Sequence, residues 1–492
     1  MNDLKAKTIR GGLARLCAQA ANFLLRLGSL IVLARLLEPK DFGLVGMVTA
    51  FTGVLTLFRD FGLSSAAVQR ASVTEEQIST LFWINLLFGS LLGLLTAAMA
   101  PAIAAFYHEP RLLGVTAVLA MGFLFNAAGI QHSVLLQREM RFTALAVIGV
   151  GSLTIGTAIA IAGAKAGYGY WALVVMTVSG PLTNTIGLWL TTGWVPGMPH
   201  RRVGIRSMMR FGGTLTLNGL IVYVASNLEK VLLGRFWGAV SIGIYGRAYQ
   251  LVNIPTDNLN SAASEVGFSA LSRLQDDPIR LKSYFLKGYS LLLALTLPIT
   301  IACALFADDV IAVLLGPKWN DAAPIFRLLA PTILVFAIAN PLGWLLSSIG
   351  LVARLLKMSL VIAPVMIVGY ILALPYGPKG VAFAYSAVMT AWLVPLVIWA
   401  LHGTVFSPRD ILSAASWPLA ASFCAAGLAF AVRLLYAQWL PPLHRLMLES
   451  TVLLVTFFGI LLSVGGQRPF YFELLCELLK RSPAKKESIV PA

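Results

Sequence analysis

The sequence predicts an all-α polytopic membrane protein with about fourteen transmembrane helices, and three observations support this fold class. Of the 492 residues, 58% are hydrophobic and only 12% are charged, whereas a soluble domain carries about 25% charged residues. Apolar runs close to the ~20 residues that a helix needs to cross a bilayer recur along the chain. The runs are continuous and do not alternate with polar residues, which is typical of membrane helices and not of barrel strands.

The apolar runs form two sets of six and a final pair. We expect the spans at residues 14–33, 42–58, 81–106, 112–131, 144–164, 170–191, 211–232, 241–258, 288–306, 325–349, 355–374, 380–401, 411–435 and 446–465. This predicts an N-terminal lobe, a C-terminal lobe, an added helix pair and a cytoplasmic tail at residues 1–200, 201–405, 406–466 and 467–492. The tail is basic and polar, and we expect it to be partly disordered.

A duplicated stretch relates the two sets of six. Residues 29–70 read as an apolar helix, a short polar turn and a second apolar helix, and the same pattern returns near residue 234. In this register Arg35, Gly43 and Gly46 fall on Arg235, Gly243 and Gly246. Self-similarity on this scale indicates a duplicated unit, and two similar helical halves in a membrane chain are typical of transporters. We expect a cleft between the two halves.

The basic residues predict the orientation of the chain. With both termini in the cytosol, the inner loops carry roughly twice as many lysines and arginines as the outer loops, as the positive-inside rule requires. The first helix carries Arg15 and Arg26 and lacks a cleavage signature, so we expect it to stay in the protein. The net charge of +16 therefore reflects membrane topology and does not indicate a nucleic-acid partner.

The sequence carries no motif for catalysis, a cofactor or a metal. The five histidines and the four cysteines are scattered, and there is no nucleophile elbow or phosphate-cradling loop. We therefore expect a protein that is not an enzyme and that binds neither a cofactor nor a metal.

Polar residues recur at helical spacing in the first two spans of each half, where lipid-facing residues should be apolar. These stripes are Arg15, Gln19, Asn22 and Arg26; Thr49, Thr52, Thr56 and Arg59; Thr214, Asn218, Glu229 and Lys230; and Arg247, Gln250, Asp257 and Asn258. A charge at the bilayer centre costs about 2.5–3.5 kcal/mol even on the lenient scale, so such residues usually face a wet cavity or the bundle interior.

We expect the stripes to line one cationic cavity, with Arg26, Lys230 and Arg247 supplying the charge and Asn22, Asn218 and Gln250 adding polar contacts. The alternative is that the charged residues snorkel to an interface while the threonines bond local carbonyls. We favour that alternative for Arg15 and Arg59. Asp257 is also able to pair with Arg247 in a purely structural role.

Several motifs resemble those of a known family. The stretches LARLLEPKDFGL, FRDFGLSSAAVQR, LLQREMRF, GYGYWALV and GRFWGAVSIGIYGRAYQLVNIP are similar to the polysaccharide-export flippases of the Wzx type. Within that type, the sequence resembles the branch associated with colanic acid and other exopolysaccharides. The resemblance covers nearly the whole chain, from about Thr8 to about Val464.

The resemblance implies the MATE-like fold of the multidrug/oligosaccharidyl-lipid/polysaccharide superfamily, with two six-helix lobes and two additional helices. It implies a multi-pass protein of the bacterial inner membrane that flips undecaprenyl-diphosphate-linked oligosaccharide for exopolysaccharide or lipopolysaccharide biosynthesis. Cavity arginines hold the diphosphate in related flippases, which makes Arg26 and Arg247 the candidates here. Asp257 and Glu229 are possible ion-coupling carboxylates, and the polymerase and glycosyltransferases of the same pathway are possible partners.

Two other functions compete with this one. A multidrug or organic-cation exporter on the same fold would favour an acidic, aromatic cavity, whereas the stripes here are cationic. A membrane polysaccharide polymerase would generally carry a large outer loop with catalytic residues, whereas the outer loops predicted here are short.

Overall fold

The computed structural model describes residues 2–58, 74–199, 223, 227–436 and 439–463. Within this part of the chain the secondary structure is helical, with fifteen α-helices, two short 3-10 turns and no strand. The helices are α1 Asn2–Leu36, α2 Pro39–Leu57, α3 Glu75–Tyr107, α4 Leu112–Arg138, α5 Phe142–Lys165, α6 Tyr170–Thr192, α7 Leu228–Arg273, α8 Pro278–Leu305, α9 Ala307–Leu314, α10 Ala322–Leu329, α11 Pro331–Ser348, α12 Val352–Ala373, α13 Gly377–Leu401, α14 Pro408–Tyr436 and α15 Pro442–Ser463.

The predicted class of fold, an all-helical multi-span membrane protein, is confirmed. In the described residues, 11 helical segments are long and apolar enough to cross a membrane. One of them, Val352–Leu401, contains two predicted spans, because the 3-10 turn Leu374–Tyr376 separates α12 from α13. The predicted span 241–258 lies within the more polar α7, and the predicted span 211–232 lies almost entirely outside the described residues.

Local sequence sets where the first helices begin and end. At the start of α2, Glu38 and Asp41 form a capping box around Pro39, which satisfies amide groups that the helix leaves open. Thr74 caps α3 in the same way with Gln77. In the turn after α3, Arg111 donates to Glu109 at 2.7 Å and thereby holds the pKa of that carboxyl below its usual range.

The chain folds into two compact units. Unit 1 comprises Met1–Gln250, Ile311–Ile325 and Leu356–Val388, so α7 runs through its boundary. Within unit 1, α3 packs on α4, α5 packs on α6, and α1 packs on α5. Gly89 lets α3 approach α4 closely, because a Cβ at that position would lie 2.3 Å from the Cβ of Ala127. Small residues commonly bring membrane helices together in this way.

Unit 2 comprises Leu251–Val310, Phe326–Leu355 and Met389–Ala492. Its helices α14 and α15 pack on each other and on α8 around the buried rings of Phe306 and Phe457. The predicted lobe boundaries at residues 200 and 405 describe the sequence repeat and stay a prediction.

An ionic cluster joins the added helix pair to the rest of unit 2. Asp309 is fully buried and accepts a hydrogen bond from Arg445 Nε at 2.8 Å. Arg433 lies 3.5 Å from both Asp308 and Asp309, and 3.9 Å from the buried Glu449. Because removing one partner would leave a buried charge uncompensated, the cluster fixes α14 and α15 to the α8–α9 junction.

Candidate functional site

The two copies of the repeat, residues 29–50 and 229–250, contact each other within unit 1 through two glycines. A Cβ on Gly43 would lie 1.7 Å from the carbonyl oxygen of Ala239, and a Cβ on Gly243 would lie 1.8 Å from the carbonyl oxygen of Pro39. Ala239 occupies in the second copy the position that Pro39 occupies in the first. The contact is therefore reciprocal, and only glycine permits it because any side chain would strike a backbone atom.

The arginine shared by the two copies makes a second reciprocal contact. Arg35 of the first copy donates to the carbonyl of Val313 in α9 at 2.6 Å, and α9 follows the second copy. Arg235 of the second copy contacts Nδ1 of His108, which ends α3 after the first copy. A guanidinium only donates hydrogen bonds, so His108 Nδ1 is the acceptor in this pair.

Arg247 is held between residues of both copies. Its guanidinium carbon lies 4.1 Å from the ring centroid of Phe42 in the first copy, and its Nη1 donates to Gln250 Oε1 one turn further along α7. Phe42 is in turn packed edge-on against the buried Trp319, with the ring centroids 5.4 Å apart. Stacking orients the planar guanidinium, and most of its five N–H donors are not used by Gln250. The arrangement is suited to an anionic oxygen ligand such as a phosphate.

Glu229 lies in a buried cluster of tyrosines at the start of α7. Its side chain is 0% exposed, and neither carboxylate oxygen has a hydrogen-bond partner from another residue of the described chain. Tyr245 and Tyr370 interact with it electrostatically, and their hydroxyls are likewise buried without a partner in that part of the chain. The neighbouring Lys230 donates to Asn227 at 2.7 Å and lies 5.0 Å from the ring centroid of Tyr249.

A third polar group of residues surrounds a cavity of ≈ 420 Å³ within unit 1. Its polar lining comes from three helices, α1, α4 and α6, and its members are Gln19, Asn22, Ser133, Gln137 and Asn184, whereas the start of α5 contributes apolar side chains. The amide of Gln137 donates to Ser133 at 3.2 Å, and that of Asn184 lies 3.5 Å from Ser152 Oγ. We call this space the amide cavity.

The predicted site residues thus fall into separate places. Arg247 contacts Gln250, Lys230 lies against Tyr249, and Asn22 lines the amide cavity. Arg26 is exposed on α1. Asp257 is exposed on the part of α7 that belongs to unit 2. Asn218 and Arg59 lie outside the described residues. A shared cavity for Arg26 and Arg247 stays a prediction.

Sequence reasoning did not identify the residues that complete these sites. Phe42 and Tyr370 come from helices other than α7, which carries Arg247 and Glu229, and Asn184 comes from a helix other than that of Asn22. For Arg247 and Glu229 the repeat offers an additional signal, because they stand where the first copy has Met47 and Ser29. A charged residue in only one copy of an apolar repeat indicates a specialised position.

Known proteins resemble the chain in sequence and in structure. It is 27% identical over 352 residues to the lipopolysaccharide biosynthesis protein WzxC of Escherichia coli (strain K12), covering 70% of each chain. It is 29% identical over 304 residues to the teichuronic acid biosynthesis protein TuaB of Bacillus subtilis (strain 168), covering 59% of this chain and 61% of that one. In structure, the lipid II flippase MurJ in its inward closed conformation matches 95% of this chain and 100% of its own, with a TM-score of 0.74 and 13% identity.

These findings define a multi-pass helical membrane protein with the fold that MurJ shares with MATE transporters. Residues 32–324, more than half of the chain, match the family described as Polysaccharide biosynthesis protein. The chain belongs to that family, and its sequence resemblance to polysaccharide-export flippases is confirmed.

Proposed function

We propose that this protein flips an undecaprenyl-diphosphate-linked oligosaccharide from the cytosolic to the periplasmic leaflet of the bacterial inner membrane, for exopolysaccharide or lipopolysaccharide biosynthesis. The observation that carries the proposal is the Arg247 guanidinium, stacked on Phe42 and hydrogen-bonded to Gln250. A diphosphate does not cross hydrocarbon unaided, because burying an unpaired charge is prohibitive. A stacked arginine offers paired hydrogen bonds to phosphate oxygens where the head group crosses.

Alternating access provides the transport step. The reciprocal contact at Gly43 and Gly243 brings the two copies of the repeat together within unit 1. In our proposal this contact is a closed gate, which opens when the head group is released. In this proposal both termini lie in the cytosol, as the distribution of basic residues predicts, and the gate lies on the periplasmic side.

Glu229 is the candidate for ion coupling, and Asp257 is the second choice. A carboxylate buried without a hydrogen-bond partner is stabilised by taking up a proton or a cation. We expect Glu229→Gln to keep lipid binding and to flatten the pH dependence of transport, because glutamine has the same shape and does not titrate. Unchanged pH dependence in proteoliposomes with an imposed proton gradient would exclude this role.

One observation favours a second function on the same fold. The buried Glu229 surrounded by tyrosines is the acidic, aromatic environment that an organic-cation exporter would use. The two functions predict opposite results. Efflux of ethidium that depends on Glu229 and not on Arg247 would establish the exporter and exclude the flippase.

The test uses a strain that lacks the transporter and accumulates its lipid-linked glycan on the cytosolic side. We expect the wild-type protein to restore surface polysaccharide, and Arg247→Ala and Arg26→Ala to be present in the membrane at normal levels without restoring it. Met47→Ala, the matching position of the first copy, is the control and should export normally. Normal export by both arginine variants would overturn the proposed diphosphate site.

A further inference from the structure

We propose that the amide cavity of unit 1 is a saccharide subsite, which binds a sugar of the lipid-linked glycan while Arg247 binds the diphosphate. The inference rests on the proposed function and extends it from the charged part of the head group to the neutral part. It is carried by the cavity's volume, by the chemistry of its lining and by its separation from the cationic site.

The lining matches a hydroxyl-rich, uncharged ligand. Asn22, Gln137 and Asn184 each present an amide group that both donates and accepts hydrogen bonds, as sugar hydroxyls do. None of the residues that line the cavity in the described chain carries a charge. The ring of Phe142 borders the same space and offers an apolar surface to the C–H face of a sugar.

The volume indicates a ligand and not only helix packing. Elsewhere in unit 1 helices approach to the limit set by Gly43 and Gly89, whereas here a half-open cleft separates four helices. The amide cavity of ≈ 420 Å³ instead lies in the ~300–1,000 Å³ range of small-ligand sites. Ser133 and Ser152 lie against two of its amides and orient them, which leaves further hydrogen-bonding capacity for a ligand.

The cavity is distinct from the cationic site. Arg247 and Gln250 are not among the residues that line it, although all belong to unit 1. Two subsites in one compact unit allow the diphosphate and the sugar to be recognised by different residues. Substitution in one subsite should therefore change the discrimination between lipids that carry sugar and lipids that do not.

The experiment measures the affinity of the purified full-length protein in nanodiscs for two probes. One probe is undecaprenyl diphosphate without sugar, and the other is the lipid-linked saccharide fraction extracted from cells that lack the transporter. We expect Gln137→Leu and Asn184→Leu to weaken binding of the saccharide lipid by about three- to tenfold, the range for one or two lost hydrogen bonds. Binding of the sugarless lipid should be unchanged. Thr177→Val is the matched control on α6, because its hydroxyl bonds only Leu173 of the same helix.

Ala146→Phe provides a second variant that keeps every amide and fills the cavity. In this variant, weaker binding of the saccharide lipid with unchanged binding of the sugarless lipid supports the subsite. The same result still tests the subsite if a leucine variant misfolds and binds neither lipid. Binding of both lipids that is unchanged from the wild type in Ala146→Phe, or equal weakening of both, overturns the inference. Arg247→Ala should weaken the binding of both lipids to the same extent. If Arg247→Ala leaves the binding of both lipids unchanged, the proposed function is wrong. If the cavity variants keep the wild-type preference for the saccharide lipid, only the further inference is wrong.

Discussion

The two copies of the repeat share their backbone contacts and differ in their chemistry. Gly43 and Gly243 make the same close approach, and Arg35 and Arg235 both reach the segment that follows the opposite copy. At four matching positions the second copy is more polar, because Ser29, Leu30, Met47 and Ala50 are replaced there by Glu229, Lys230, Arg247 and Gln250. Duplication therefore supplied a symmetric contact, and later substitution specialised one of its sides.

The first copy contributes support to the charged residues of the second. The ring of Phe42 stacks on the guanidinium of Arg247, and Trp319 packs edge-on against that ring. The indole of Trp319 also donates to the carbonyl oxygen of Ala34 at 2.8 Å. The backbone at the matching positions 38 and 238 also differs between the copies. Glu38 caps α2 in the first copy, whereas the matching Gly238 bends α7 with a φ of 77°. Four predictions test whether the contact is symmetric and the chemistry is not.

The largest effect should come from locking the contact between the copies. A Cβ at Gly46 would lie 2.8 Å from Cγ2 of Ile242, which brings two cysteines within the ~3.5–4.5 Å Cβ separation of a disulfide. In a background with the four native cysteines replaced by serine, Gly46→Cys with Ile242→Cys should lose transport completely on oxidation and recover it on reduction. Each single variant is the control. Transport that continues in the fully oxidised double variant would show that the contact is not a gate.

The second-largest effect should show that lipid binding depends on Arg247 of the second copy and not on the matching residue of the first copy. Arg247→Ala should weaken binding of undecaprenyl diphosphate by about ten- to a hundredfold, since a charge-assisted hydrogen bond contributes about 1.5–3 kcal/mol. Met47→Ala removes the equivalent side chain of the first copy and should leave that affinity unchanged. Arg247→Lys should recover only part, because an ammonium lacks the planar fork and stacks less well on Phe42. Equal losses in the alanine variants at 47 and 247 would contradict the assigned asymmetry.

A smaller effect, slower cross-linking of the cysteine pair, should follow from substitution of the contact glycine in either copy. Gly43→Ala and Gly243→Ala each place a methyl group against a backbone carbonyl, so both should open the contact and slow the cross-linking of the cysteine pair to a similar degree. Gly246→Ala is the control, because its added methyl meets no atom within 4 Å. In a helix that change typically stabilises by about 0.5–1 kcal/mol. Slower cross-linking from only one of Gly43→Ala and Gly243→Ala would show that the contact is not reciprocal.

Composition and hydropathy were sufficient to predict the helical membrane fold, and the repeat identified the residues of the reciprocal contact. Helix lengths were less predictable. The predicted span 81–106 became Glu75–Tyr107 because Thr74 caps the helix before the apolar run starts. The predicted span 241–258 became part of Leu228–Arg273, since a helix does not have to end where hydropathy falls.

From the sequence, site residues could be predicted only as groups that lie on one and the same helix. The helical spacing of polar residues identified Asn22 on α1 and both Arg247 and Glu229 on α7. The partners Phe42 and Asn184 come from other helices, and which faces of distant helices meet is decided by packing. A single sequence contains no direct signal for such contacts.

The smallest effect should come from the arginine pair at the edge of the contact. Arg35 and Arg235 are conserved between the copies and each makes one partly solvated hydrogen bond to the opposite side. Such a bond contributes about 0.5–1.5 kcal/mol net. Arg35→Gln and Arg235→Gln should therefore each slow the cross-linking of the cysteine pair by about two- to tenfold, and the effects should add because the two bonds share no residue. Lys165→Gln removes a charge at the end of α5 and serves as the control. If only one arginine matters, the closed contact is held from one side, and the symmetry of the repeat is limited to its glycines.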